Sequence, residues 1–185
     1  MKKLMAVFFL SLFSIGAFAQ DNSKATVPYR SFITELGGPG VLFSVNYDTR
    51  FKKQSFGWGG RIGVGFTTSY RNNSYYDPAL GGYVYVGEGK NVSALTVPVQ
   101  LNYLFGKEGS KSALEVGGGA TYVGRKAAFL NFEDRDGKAS VYGNASFMYR
   151  RMPTNGGFSW RVGFTPLIGD GFIQPSAAAS VGFNF

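Results

Sequence analysis

Seven charged side chains recur at strand-like spacing in a chain that is otherwise sparing with charge: Glu35, Asp48 and Glu115 against Arg50, Arg61, Arg150 and Arg161. Asn46, Gln100, Asn102, Tyr142 and Asn144 share their face. Such a set can do ion-pair chemistry, either as a packed polar core or as the lining of a solute path. Hydrolysis is poorly served. Ser44 with Asp48, or Ser110 and Ser112 beside Glu115, could be drawn as nucleophile fragments, but the chain has no His and no Cys. No base that titrates near neutrality therefore stands by any hydroxyl. The same absence removes disulfides and imidazole or thiolate metal sites. The acidic cluster Glu133, Asp134 and Asp136 lies beside Arg135 and Lys138 without calcium-loop spacing, and reads as a solvated loop. The expectation is a protein with no enzymatic activity, no metal and no cofactor.

Residues 1–19 read as an export signal: Lys2 and Lys3, an apolar run from Leu4 to Ile15, then Ala17-Phe18-Ala19 before Gln20. The run is shorter than the ~20 residues that a spanning helix needs. Removing it lowers the formal net charge from +8 to +6, and the remaining Lys and Arg are scattered, so nucleic acid is not an expected partner. Residues 20–30 are an N-terminal segment expected in the periplasm once the signal is removed, and residues 31–185 a single domain. That domain carries most of the chain's 27 glycines together with 14 of its 18 Phe, 10 of its 11 Tyr and both Trp, a load of aromatics that a disordered Gly-rich linker does not have.

What positions the charges is a period of two. From Gly40, Val41, Phe43, Val45, Tyr47 and Phe51 alternate with Ser44, Asn46, Asp48 and Arg50. Phe56–Tyr70 sets Trp58, Ile62, Val64, Phe66 and Tyr70 against Gly59, Arg61, Gly63, Gly65 and Thr67. Asn91–Phe105 sets Leu95, Val97, Val99, Leu101, Tyr103 and Phe105 against Thr96, Pro98, Gln100 and Asn102, with Pro98 expected at a strand start or a bulge. Ser112–Val123, Ala139–Arg150, Gly157–Leu167 and Ser176–Phe185 keep the same grammar, bulky apolar residues opposing Gly, Ser, Thr, Asn and charge.

Short links at Lys52–Phe56, Gly106–Lys111 and Arg151–Gly156 alternate with long ones at Arg71–Lys90 and Gly124–Lys138, the rhythm of a membrane barrel with one short-looped rim. An even strand count requires one more strand, and Ser31–Leu36 followed by Gly37-Gly38-Pro39-Gly40 supplies it. Seven strands would leave open edges, which lipid does not tolerate. The expected fold is all-β, an eight-stranded antiparallel up-and-down transmembrane β-barrel. A soluble barrel would reverse the faces. Here the small and charged face is too thin for an oil core, so the bulky face belongs to lipid, with Tyr47, Trp58, Tyr70, Tyr103, Tyr122, Tyr149 and Trp160 in interfacial girdles.

On these strands, and on the ending Val181-Gly182-Phe183-Asn184-Phe185, the chain resembles the small outer-membrane β-barrels of Gram-negative bacteria, in the style of the OmpA transmembrane domain, OmpX and OmpW, and most of all small barrels of Bacteroidota. The resemblance implies residence in the outer membrane, contact with its lipid and lipopolysaccharide, and assembly by the BAM machinery, with Val181, Phe183 and Phe185 as the terminal aromatic signal. It implies no substrate. Lipid A deacylases and palmitoyl transferases of similar size use histidine-containing sites, which this chain lacks.

Within that frame Glu35, Asn46, Asp48, Arg50, Arg61, Gln100, Asn102, Glu115, Tyr142, Asn144, Arg150 and Arg161 form a polar network in a narrow lumen that side chains can fill. Tyr75, Tyr76, Tyr83 and Tyr85 in the first long link, and Phe129 and Phe132 in the second, are candidate contacts with a partner, such as a larger outer-membrane complex. The reading is a structural or accessory barrel that presents extracellular loops. The competing reading is a narrow or gated channel for small solutes.

Overall fold

A computed structural model describes residues 27–71, 74–87, 89–124, 140–169 and 172–185. The expected export signal and most of the segment after it, residues 1–26, lie outside them, as do Phe129, Phe132 and the acidic cluster at positions 133–136. The strands are β1 (Arg30–Gly37), β2 (Phe43–Arg50), β3 (Gly57–Arg71), β4 (Ser74–Asp77), β5 (Gly82–Tyr85), β6 (Lys90–Phe105), β7 (Ser112–Val123), β8 (Ser140–Arg151), β9 (Gly157–Phe164), β10 (Leu167–Gly169), β11 (Phe172–Gln174) and β12 (Ala177–Asn184). Every pairing is antiparallel, and the ring runs β1, β2, β3, β6, β7, β8, β9, β12 and back to β1. This is a closed eight-stranded barrel. The short β10 and β11 prolong β9 and β12 in unchanged register, and β4 pairs with β5 as a separate hairpin between β3 and β6.

The registers also give the stagger. From Ser31 the cross-strand partners run through Asp48, Arg61, Gln100, Gly119, Asn144, Leu167 and Gln174. The β1–β12 register carried on from Gln174 reaches position 41, ten residues beyond the start. Eight strands with that stagger tilt by roughly 40° and enclose an interior just wide enough for side chains.

The period-two pattern closes the barrel with its polar face inward. Val45, Ile62, Val64, Leu101, Leu114, Phe147, Val162 and Val181 are exposed on the wall, whereas Asn46, Asp48, Arg61, Gln100, Asn102, Glu115 and Arg161 are buried. Aromatic contacts collect near the short-link rim: Tyr47 with Phe32, Phe32 with Phe185, Trp58 with Tyr103, Tyr103 with Phe105, and Tyr149 with Trp160, at ring separations of 4.5 to 5.6 Å. Tips of this kind, half apolar and half polar, suit a membrane–water boundary.

Three local expectations change. Pro98 stands inside β6, at neither a strand start nor a bulge: the β3 register is the same on both sides of it, and the ladder lapses only opposite Gly63 and Val64, where proline has no N–H to give. Its pairing with Thr121 of β7 persists. The strand expected over Gly157–Leu167 is interrupted at Thr165-Pro166 and resumes as β10, for the same reason. Val41 does not join the outward face of β2. It ends the turn Gly38–Gly40 with φ 74°, partly buried, and its N–H bonds to the Gly38 carbonyl at 2.9 Å. A β-branched residue in this region is an outlier that only a firmly held turn sustains.

Candidate functional site

The firm hold on that turn comes from the lumen. Gly38, Pro39 and Gly40 are buried and bend into the barrel instead of standing above it. Thr121 Oγ1 donates to the Pro39 carbonyl at 2.7 Å, Thr96 Oγ1 to the Gly40 carbonyl at 2.9 Å, and the Gly37 N–H to the Leu42 carbonyl at 2.9 Å. A Cβ at Gly40 would overlap the Ser44 side chain, so the tuck needs glycine there. Val41 then packs against Ala94, Val123, Tyr142 and Leu167, an apolar cap across the long-link end of the lumen.

Beneath the turn lies an amide and hydroxyl layer. Asn144 Nδ2 donates to Thr121 Oγ1 at 2.9 Å, Gln100 Nε2 donates to Asn144 Oδ1 at 2.7 Å, and Asn46 Nδ2 donates to Ser44 Oγ at 2.9 Å. Arg61 links this layer to the charges, donating to Gln100 Oε1 at 3.1 Å.

The charges form one connected cluster, and none of the seven is more than 5% exposed. Glu115 Oε1 accepts from Arg61 and from Arg161 at 2.6 Å each, and Arg150 stands 3.5 Å from Glu115 Oε2. Asp48 Oδ2 accepts from Arg150 at 2.8 Å and from Arg61 at 3.1 Å, while Oδ1 takes Arg50. Arg161 also reaches Glu35 Oε2, and its Nε donates to Ser180 Oγ at 2.7 Å. Arg150 continues to Ser31 Oγ at 2.8 Å and Asn184 Oδ1 at 3.2 Å. All eight strands of the ring therefore contribute a member to one network. Pairing and multiple hydrogen bonds are what allow charge to persist at this burial. Four guanidiniums against three carboxylates leave the cluster one positive charge in excess.

At the short-link end Phe56, Leu104, Ala113 and Met152 form a second apolar cluster. Along the axis the lumen thus runs from an apolar cap through the ion cluster and amide layer to the tucked turn and the other cap. Neither cap was anticipated. The signal was in the parity: Ala94, Leu104, Ala113 and Val123 occupy the polar face of their strands, at its ends. Tyr142, expected among the polar groups, lays its ring in the long-link cap. Asn102 is buried beside the charges, and neither of its amide atoms meets a hydrogen-bond partner among the described residues. Among the described residues no group of three or more carboxylates is placed to hold a metal ion.

The other named positions lie apart from the lumen. Tyr75, Tyr76 and Tyr83 are exposed on the β4–β5 hairpin, Tyr76 and Tyr83 meeting edge to face at 5.4 Å, and Tyr85 is in register with Ser74. Val181, Phe183 and Phe185 lie along the outer wall, with Phe185 stacked on Phe32 at 5.6 Å.

Comparison with known proteins bears on the fold. The chain is similar to the N-terminal β-barrel domain of Pseudomonas aeruginosa OprF, with a TM-score of 0.54 and 14% sequence identity over 86% of this chain and 98% of that one. At that identity the likeness is one of architecture, a closed antiparallel β-barrel. No protein-family model and no curated protein matches the sequence.

Proposed function

We propose that this chain is an integral outer-membrane barrel that acts through its wall and its long-link loops, as a structural or accessory subunit without enzymatic activity and without a solute path. The observation that carries this reading is the filled lumen: a tucked turn and two apolar caps enclose a buried cluster of linked ion pairs, and an ion crossing it would have to part pairs whose separation costs several kcal/mol each. The bulky apolar wall, with its aromatic belt near one rim, supports placement in a bilayer, and the signal-like leader supports export from a Gram-negative cell, with a Bacteroidota source in keeping with the resemblance in sequence. Val181, Phe183 and Phe185 would serve recognition by the BAM machinery. Tyr75, Tyr76, Tyr83 and Tyr85, with Phe129 and Phe132, would meet lipopolysaccharide or a larger complex.

Planar-bilayer recording of the purified, folded protein tests the central point. No discrete conductance steps above the bare bilayer are expected over ordinary potentials. Reproducible unitary steps from monomeric protein would replace this reading with the gated channel. Stoichiometric partners retained on purification in mild detergent, and lost when Tyr76 and Tyr83 are replaced by Ser, would support the accessory role.

A further inference from the structure

The outer wall changes chemistry where β7, β8 and β9 reach the short-link rim. Ser112, Arg151 and Trp160 stand side by side there in cross-strand register. Arg151 Nη1 donates to Ser112 Oγ at 3.2 Å, and Ser112 Oγ shares a 2.9 Å hydrogen bond with Tyr149 Oη, whose ring rests 5.6 Å from that of Trp160. A guanidinium, a hydroxyl and a phenol are thus gathered on a face that otherwise carries hydrocarbon. Beside them opens a depression of about 390 Å³ lined by Lys111, Arg151, Asn155, Phe158 and Trp160 among others, two cations and no carboxylate. Phe158 and Trp160 are 66% and 41% exposed and continue it onto the apolar wall.

The surrounding rim has the same sign. Arg30, Lys52, Lys53, Lys107, Lys111 and Arg151 meet Glu108 alone among its described acidic side chains. Cations at this height lie next to lipid headgroups, where each Lys or Arg favours an anionic neighbour by about 1 kcal/mol. The aromatic pair below them offers an acyl chain a flat apolar track.

We infer that this rim depression binds the phosphate headgroup of an anionic glycerophospholipid, with Lys111 and Arg151 at the phosphate, Ser112 and Tyr149 as hydrogen-bonding support, and an acyl chain along Phe158 and Trp160. The inference rests on the bilayer placement proposed above. A free phosphate would use the cations but not the aromatic track, which is why the lipid is the assigned ligand.

The chain has two tryptophans, so Trp58→Phe leaves Trp160 as a local reporter. The full chain carrying this change is folded into phosphatidylcholine vesicles, and quenching of Trp160 by brominated phosphatidylglycerol is compared with quenching by brominated phosphatidylcholine at equal mole fraction. The expected result is a preference of roughly thirtyfold for the anionic lipid, from two cations near the surface at about 1 kcal/mol each. It falls to within about twofold in Lys111→Gln/Arg151→Gln and shrinks with added salt. Excess inorganic phosphate leaves the quench in place. Folded protein with equal quenching by the two lipids, or a preference indifferent to the double substitution, overturns the site while leaving the bilayer placement intact. Displacement by inorganic phosphate overturns the lipid as ligand. Failure of the unsubstituted chain to insert into either kind of vesicle overturns both. Native mass spectrometry of the unsubstituted protein reads the same preference without the Trp58 change, as retained phosphatidylglycerol that the double variant loses.

Discussion

Glu115→Gln is expected to lower the unfolding free energy of the barrel by about 3–5 kcal/mol, the usual cost of removing one partner from a buried ion pair. The substitution keeps the shape of the side chain but exchanges a carboxylate for a neutral amide at the point where Arg61 and Arg161 both donate at 2.6 Å and Arg150 stands at 3.5 Å. The cluster then holds four guanidiniums and two carboxylates, so its excess rises from one positive charge to two, with no solvent at hand to disperse it. Urea unfolding in vesicles, followed by tryptophan fluorescence, reads the loss directly. Glu108→Gln, on an exposed short link, should stay within about 0.5 kcal/mol of the parent. Adding Arg61→Gln to Glu115→Gln should cost less than the two single losses together, because the second change removes a charge that the first has stranded. Arg61 is the suitable partner for this cycle, since Asp48, its other carboxylate, keeps Arg50 and Arg150. Full additivity would mean that the cluster acts as separate pairs instead of one network.

The same residues show what a sequence can and cannot reveal here. Alternation placed Asp48, Arg61, Glu115, Arg150 and Arg161 on one side of five strands, and the closed eight-stranded barrel followed from that and from the rhythm of link lengths. Which guanidinium meets which carboxylate depends on the stagger between strands. No single strand encodes that stagger, and it emerges only when the ring closes. The inward tuck of Gly38–Gly40 escaped for a related reason. A Gly-Gly-Pro-Gly run signals a turn wherever it occurs, and only Thr96 and Thr121, on strands far along the chain, pull this one into the lumen. Val41 goes with the tuck, since its apolar character fits an outward position and an inward cap equally well. Pro98 is tolerated within a strand because a closed barrel can forgo ladder hydrogen bonds at one point of one interface while the other interface of the same strand stays paired.

Gly119→Ala should be nearly as damaging as the loss of Glu115, at about 3 kcal/mol or with failure to fold, while Gly118→Ala one residue away should change stability by no more than about 0.5 kcal/mol. Both glycines are in β7, paired across to β6 and β8. A Cβ on Gly118 would point outward and find its nearest neighbour, the Asn144 carbonyl oxygen, at 3.7 Å, an ordinary contact. A Cβ on Gly119 would point inward onto the Val99 carbonyl oxygen, with the Gln100 Cα at 2.7 Å. Those are backbone atoms, so no side-chain rotation relieves the overlap, and the strand itself must move. Gly163 meets the Phe147 carbonyl in the same way, and Gly65 that of Phe43. Inward glycines therefore mark where a small barrel bends so tightly that the neighbouring strand occupies the place of a side chain. Retention of the heat-resistant folded band on cold electrophoresis, alongside the urea midpoint, separates the two variants. Equal stability in both would place the glycine requirement in the unfolded chain or in assembly, and would detach it from the curvature of the wall.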